Sequence, residues 1–527
     1  MPQTTLRRLG AAALLMTSAV FLSRIIGWLR EAFVAARFGA TGVTDAFYAA
    51  FTLPDILNYM LAGGVLSITF LPLYSRHLAK GDEQGANRVL SVVGTLLVTV
   101  LGVGIVLGEI FAEPLCRLLF QELRPEALAA CVHYTRILLP AQLFFFAGGL
   151  LSATLFARGR FAAAALAPLL YNLGIIAGGV LLGHRLGPAS LAWGALFGAA
   201  LGPFLIPAVS AIRAGARMFP RLAPRDPGFV EWFKLTLPLM LGVSLVTADD
   251  WLIRVLAGGD EGEITRLNLA KRLVAVPIAI AGQAVGQASM PFFAHLFAEG
   301  KREELAATFL KTARIAGVVA LLASAWMIGL AEPLVDLLFR RHRFTYQDVG
   351  PTATYLAIFA AAVPLWSLQG LTSRVFYAAH NTVTPMLAGT IVTIASIPMY
   401  VFLHRSLGPA GLAVASGVGM LGHAGAMLYL APRILPELRE AAPVALRGLA
   451  KGLLLAILAG ATARALAAGT GTLLSAPGHG PVVILCAAGS AGFVSVVLIL
   501  AKPMGVEEPA LLVSKVSSRL RRARRAG

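Results

Sequence analysis

AEPLCRLLF, residues 112–120, returns as AEPLVDLLF at residues 331–339, with seven of nine letters unchanged across a displacement of 219. Two more pairs keep that distance. PLYSRHLAKG at 72–81 matches PFFAHLFAEG at 291–300, again displaced by 219, and HRLGPASLA at 184–192 matches HRSLGPAGLA at 404–413, displaced by 220. Three separate matches at one spacing mark an internal duplication, and a repeat of this length decides the architecture before any single segment does. Around these matches the chain is a series of apolar stretches of about 20 residues, the length that crosses a bilayer core. Fourteen are expected, at 9–38, 44–76, 88–112, 127–156, 161–183, 189–212, 230–257, 267–296, 306–330, 350–378, 383–403, 409–432, 444–467 and 480–501. Residues 9–212 and 230–432 are then two copies of a six-helix unit. An even number of helices brings both copies in from one side, so the repeat is parallel, of the type that forms two pseudo-symmetric lobes around a central cavity. The expected fold is an all-α polytopic membrane protein. Its parts are an N-lobe over 1–212, a basic linker over 213–229, a C-lobe over 230–432, two unduplicated spans within 433–503 and a basic tail over 504–527.

Composition agrees with the spans. Hydrophobic residues make up 57% of the 527 residues and charged residues 13%, against about 25% charge in soluble domains. A string of soluble domains is excluded. The net charge of +18 reads mainly as topology. With the N-terminus inside, the inside loops and tail hold 23 Lys and Arg and the outside loops 9, the bias that accompanies cytoplasmic N- and C-termini. Nucleic acid is therefore not an expected partner. The tail Lys515–Arg525 either lies on anionic headgroups or is solvated. The apolar run Leu9–Leu22 behind Arg7 and Arg8 has no cleavage site after it and reads as an uncleaved first span. Cys116, Cys131 and Cys486 are too few and too scattered for a disulfide framework or a metal site. HExxH, CxxC and Walker patterns are absent, and Gly102-x-Gly104 lies inside an apolar span, where it serves packing. No large soluble loop is available for catalysis or ATP hydrolysis, so the chain reads as a transporter and not an enzyme. Active transport would draw on an ion gradient or the membrane potential, at about 2.3 kcal/mol per charge per 100 mV.

An ionisable residue deep in a span costs about 2.5–3.5 kcal/mol and needs a polar destination. Arg24 lies near the middle of span 1, and Arg30 and Glu31 follow about two turns later. Arg24, Gly27 and Glu31 share a face by their i, i+3, i+7 spacing. Asp45 opens span 2, with Asp55 and Asn58 just beyond Pro54. Asp249 and Asp250 lie in span 7, with Arg254 one turn on, and Lys271 and Arg272 lie early in span 8. Internal pairing of Arg30 with Glu31 and of Asp250 with Arg254, serving only to hold helices, is the plain alternative to a binding role. Arg24 and Arg272 have no obvious local carboxylate. Pro54 with Gly63 and Gly64 interrupts span 2, and Pro277 with Gly282 interrupts span 8. Breaks at matching positions of two copies point to a midplane site and to hinges. Cations concentrated in spans 1, 2 and 8 favour an anion, and a diphosphate fits because Arg binds phosphate oxygens bidentately.

SRIIGWLREAFVAARFGATGVTDAFYAAFTLPDIL, Ser23 to Leu57, resembles the signature of the MurJ (MviN) family of lipid II flippases. GRFAAAALAPLLYN from Gly159, RRHRFTYQDVGPTA from Arg340 and YAAHNTVTP from Tyr377 resemble further blocks of that family. The resemblance covers essentially the whole chain. It implies membership of the multidrug/oligosaccharidyl-lipid/polysaccharide exporter superfamily, a V-shaped two-lobed fold, and a bacterial cytoplasmic (inner) membrane location. It also implies lipid II as substrate, with its undecaprenyl pyrophosphate, and links to peptidoglycan biosynthesis and cell shape. Partners implied are anionic membrane lipids and the cell-wall synthesis machinery, with the chain acting as a monomer. The last two spans would form a lipid-facing groove. By the resemblance, the cavity arginines fall on Arg24, Arg30 and Arg272, and the acidic residue opening span 2 on Asp45. The chain departs from the family at Asn58, where an arginine is frequent, at Thr52 in place of a lysine, and at Lys271 in place of an acid. Members with a proposed sodium site use span-11 positions that are Ser396 and Tyr400 here. With Asp249 or Asp250 alone, sodium coupling is in doubt, and no cofactor or metal is expected. Lys271 is expected to replace part of the missing positive charge.

Three functions are compatible with these readings. The first is a flippase whose cavity arginines hold the pyrophosphate while the lobes rock. The second is a drug or cation antiporter of the same superfamily, which needs carboxylates to dominate and only twelve spans. The third is a non-transporting scaffold of cell-wall synthesis.

Overall fold

The computed structural model describes residues 3–62, 69–241, 245–473 and 479–510. Gly63, Gly64 and the tail Lys515–Arg525 lie outside the described residues. The first copy of the repeat comprises α1 (Gln3–Phe38), α2 (Gly42–Ala49), α3 (Thr52–Ala62), α4 (Leu71–Ala79), α5 (Glu83–Leu119), α6 (Pro125–Leu138), α7 (Ala141–Ala157), α8 (Ala162–Leu186), α9 (Ala189–Ala199) and α10 (Ile206–Arg213). The second comprises α11 (Pro227–Leu241), α12 (Leu245–Leu256), α13 (Glu263–Pro277), α14 (Val285–Ala298), α15 (Arg302–Gly329), α16 (Ala331–Phe339), α17 (Tyr346–Ala361), α18 (Val363–Ala378), α19 (Val383–Leu407) and α20 (Pro409–Leu430). The unduplicated pair is α21 (Leu438–Leu473) and α22 (His479–Leu500). Among the described residues the only extended pairing is an isolated bridge from Arg341 to Phe344.

Positions 219 residues apart are buried alike at three places. The buried core of the first copy includes Tyr74, Ala86 and Leu90. Phe293, Leu305 and Phe309, each 219 residues on, are buried in the core of the second. Eleven helices among the described residues are long and apolar enough to cross a membrane, and each coincides with an expected span. The count of fourteen needs three more stretches, 9–38, 44–76 and 230–257, and the last two are not single described helices. Span 2 divides between Ala49 and Thr52. Pro54 has no N–H for the carbonyl of Ala50, four residues back, which would otherwise continue the helix. That carbonyl instead accepts from the hydroxyl of Thr135 on α6 at 3.4 Å. Pro54 thus sits in the first turn of α3 and the interruption precedes it. Pro277 ends α13, and a π-helical segment, Ile278–Ala284, follows directly. A second π segment, Ala200–Leu205, contains Pro203. Loss of a proline N–H from the i→i−4 ladder accounts for both.

By contact the chain divides into two units, 1–242 with 254–265, and 243–253 with 266–527. The second copy's first helix, α11, belongs to the first unit because Trp232 is buried in that unit's core. Arg88 pairs with Asp226 at 2.8 Å and Arg76 with Glu231 at 2.9 Å. The stretch expected as a linker is strapped to α5: the backbone N–H groups of Arg217, Phe219 and Arg221 donate to the side chains of Asn87, Ser91 and Thr95. Every second residue of an extended strap therefore meets every fourth residue of a helix, the two natural repeat distances of those conformations. In the second unit the start of the expected tail is docked. Val506 is buried, and Glu508 pairs with Arg314 at 2.5 Å.

Close packing in the first unit relies on glycine. Gly174 and Gly178 on α8 face Gly194 and Gly198 on α9. A Cβ at Gly178 would lie 2.5 Å from the Ser190 carbonyl oxygen, and one at Gly194 2.5 Å from that of Gly174. Small residues four apart let membrane helices approach backbone to backbone.

Candidate functional site

In the first unit, Arg30 is the centre of a polar cluster inside an apolar bundle. Its guanidinium pairs with Glu31 and donates to Asn172 Oδ1 on α8 at 2.9 Å. Glu31 is buried, and its other oxygen accepts from Tyr48 of α2 at 2.6 Å. Asn172 is itself fixed by donating to the Pro168 carbonyl at 3.0 Å, a carbonyl one turn back in its own helix. Three helices thus orient one arginine, whose charge is offset and whose remaining N–H groups retain donor capacity. Arg24 lies on the exposed side of α1, six residues earlier. The Arg30–Glu31 pair is the internal pairing that the sequence offered as the alternative to binding, whereas Tyr48 and Asn172 carry no role in the sequence reading. Asn172 was legible in principle, as an amide in an otherwise apolar helix.

Asp45 is buried and committed to backbone. It accepts from the N–H of Gly262 at 2.6 Å and from the N–H and hydroxyl of Thr265, both at 2.7 Å. These donors belong to the first turn of α13, so a carboxylate distant in sequence caps that helix, where negative charge is favoured. Gly262 has φ +86, and a Cβ there would lie 2.5 Å from the Ala40 carbonyl oxygen. Glycine alone suits both the backbone conformation and the approach. Glu261 supports the same junction by accepting from the N–H of Gly42 at 2.9 Å. Arg254 pairs with Asp55 at 2.7 Å. Asn58 donates to Gln142 at 2.7 Å on α7.

The second unit contains a different cluster. Asp249 of α12 is fully buried and accepts from Tyr400 of α19 and, at 2.9 Å, from Ser416 of α20. The ammonium of Lys271 lies 2.5 Å from Asp249 and also pairs with Asp250. Trp366 places its ring 6.0 Å from the same ammonium. Arg272, the next residue on α13, is exposed. Ser396 donates to its own helix at the Val392 carbonyl. Lys271 already supplies a monovalent cation, and the hydroxyls of Tyr400 and Ser416 already engage Asp249. Among the described residues no group of three or more His, Cys, Asp and Glu converges on a metal position.

Removing that ammonium has a defined consequence. Lys271→Met leaves a buried carboxylate without its counter-ion, which costs about 3 kcal/mol. The expected result is a lower melting temperature in detergent, partly restored by sodium chloride and not by choline chloride, with wild type indifferent to the choice. Equal melting of variant and wild type in both salts would remove Lys271 as the counter-ion of Asp249.

A family model described as "Lipid II flippase MurJ" matches residues 34–477. A probable lipid II flippase MurJ of Bdellovibrio bacteriovorus is 27% identical over 438 residues, 81% of this chain and 83% of that protein. The lipid II flippase MurJ of Burkholderia cenocepacia is 27% identical over 418 residues, 77% of this chain and 81% of its own length. Among solved structures, a lipid II flippase MurJ in an inward closed conformation aligns with a TM-score of 0.76 at 20% identity, covering 93% of this chain and 99% of that one. An inward-facing MATE-family multidrug transporter aligns with a TM-score of 0.66 at 17% identity, covering 81% and 99%. At those identities the structural likeness establishes the fold.

Proposed function

The chain belongs to the MurJ family of lipid II flippases, and from that membership we propose that it carries lipid II from the inner to the outer leaflet of the bacterial cytoplasmic membrane by alternating access. It is a multi-pass membrane transporter and not an enzyme. The substrate assignment rests on the family match. The structural observation that supports it best is Arg30 of α1, an arginine held in orientation by Glu31 and Asn172. Arg24 and Arg30 of the first unit and Arg272 of the second are the cations proposed to engage the pyrophosphate, because an arginine fork matches phosphate oxygens geometrically. The lipid tail stays in the bilayer beside α21 and α22. Both termini are proposed to be cytoplasmic.

Asp249 and Asp250 bear on the driving force. With Lys271 between them, cation exchange through this carboxylate pair is disfavoured, which favours the membrane potential over a sodium gradient and weakens the antiporter reading. Reconstitution into vesicles with labelled lipid II tests the proposal. Transfer to the outer leaflet is expected, accelerated by an inside-negative potential and unchanged when choline replaces sodium. Protein that binds labelled lipid II in neither condition would overturn the flippase reading in favour of a scaffold. Transfer that requires sodium would overturn the coupling.

A further inference from the structure

Arg464 is a charge of the second unit that the proposed function does not use. It lies on α21 within the apolar segment Ala442–Gly471, about 10 Å below its Gly471 end at 1.5 Å per residue. Its side chain is exposed. Among the described residues it makes no hydrogen bond or ion pair. It lines a pocket of about 660 Å³ formed by α15, α16, α17, α21 and α22, inside the roughly 300–1,000 Å³ range of small-ligand sites. The space exists because the walls are small residues. A Cβ added at Gly350 would meet no atom within 4 Å, and Ala468 faces the same pocket.

The other charges in the lining are acidic. Asp336 is neutralised by Arg340 one turn on. Glu332 is exposed and holds only the hydroxyl of Tyr346, at 3.1 Å, so most of its acceptor capacity remains. The pocket therefore offers one unpaired guanidinium and one available carboxylate, with apolar walls below. An anionic headgroup alone would satisfy Arg464 and be repelled by Glu332. A purely cationic one would do the reverse. A molecule with a phosphate, an ammonium and alkyl chains satisfies all three features.

The geometry points to a binding site for a zwitterionic, ethanolamine-type phospholipid, its phosphate on Arg464 and its ammonium on Glu332. Arginine recognises phosphate through parallel charge-assisted bonds, and basic pockets between membrane helices hold lipid headgroups in the same way. The pocket is separate from the arginines proposed to engage the pyrophosphate but shares α21 and α22 with the proposed path of the tail, so its test reads lipid retention and not flipping.

Full-length protein is exchanged into detergent containing equal amounts of ethanolamine and glycerol phospholipids with matched acyl chains. Bound lipid is counted by native mass spectrometry. Wild type is expected to retain the ethanolamine lipid about tenfold over the glycerol lipid, a difference of 1.4 kcal/mol. Arg464→Ala should lose retention of both. Glu332→Gln should bring the ratio towards one, and Ala468→Phe should fill the pocket and expel lipid while leaving both charges. Equal retention of the two lipids by wild type would overturn the headgroup assignment. Unchanged retention in both Arg464→Ala and Ala468→Phe would overturn the site.

Discussion

Replacing Arg24 and Arg272 together with alanine is expected to abolish growth of a strain depleted of its own lipid II flippase, while the protein still inserts and accumulates. Both side chains are exposed, so their loss leaves the cores intact. Each charge-assisted contact to a phosphate oxygen is worth about 1.5–3 kcal/mol, and losing two lowers capture of a pyrophosphate by roughly two to four powers of ten. Arg24→Lys with Arg272→Lys keeps the charge and loses the fork, and should fall between the two. Arg30 is the poorer first target, because its removal also strips a buried Glu31 of its counter-ion, and misfolding would mimic loss of binding. Normal growth of the double alanine variant at wild-type abundance would sink the assignment of these arginines.

The second large effect concerns stability. Asp45→Ala removes three hydrogen bonds to a buried carboxylate and orphans two N–H groups at the start of α13. Hydrogen bonds to charged groups contribute about 1.5–3 kcal/mol each, and a buried donor left unsatisfied costs about 1–3. These terms overlap, so the net loss is set at about 3 kcal/mol or more. The measurement is thermal unfolding in detergent. Asp45→Asn separates charge from shape: the amide keeps an acceptor oxygen but turns a donor towards an N–H, so most of the loss should remain. A melting temperature unchanged in both variants would show that the cap contributes nothing. A functional defect is expected alongside, since the helix that Asp45 caps carries Lys271 and Arg272 further on.

The residues legible from the sequence were those whose meaning lies in position along the chain. AEPLCRLLF and AEPLVDLLF gave the repeat, and buried Tyr74 and Phe293 show that it reaches the core. Pro277 was readable as a break because proline lacks an N–H wherever it sits. The location of the span 2 break was less so: the gap falls at residues 50–51, where Thr135 from another helix satisfies the Ala50 carbonyl. The strap at 217–221 read as a linker because nothing in its own composition names Asn87, Ser91 and Thr95 as its acceptors.

By itself the sequence determined that this chain is a duplicated helical membrane protein with a few arginines where lipid-facing helices should have none. Apolar length and repeated letters are properties of the chain alone. Which carboxylate answers which cation was decided only in three dimensions. Helical spacing did not name Asp55 as a partner of Arg254, nor Lys271 as the cation shared by Asp249 and Asp250, nor Asp45 as serving a helix end. Where water is scarce, a charge is stabilised by the nearest opposite charge or dipole in space. That neighbour is set by how helices rotate and cross, which no spacing along one helix records.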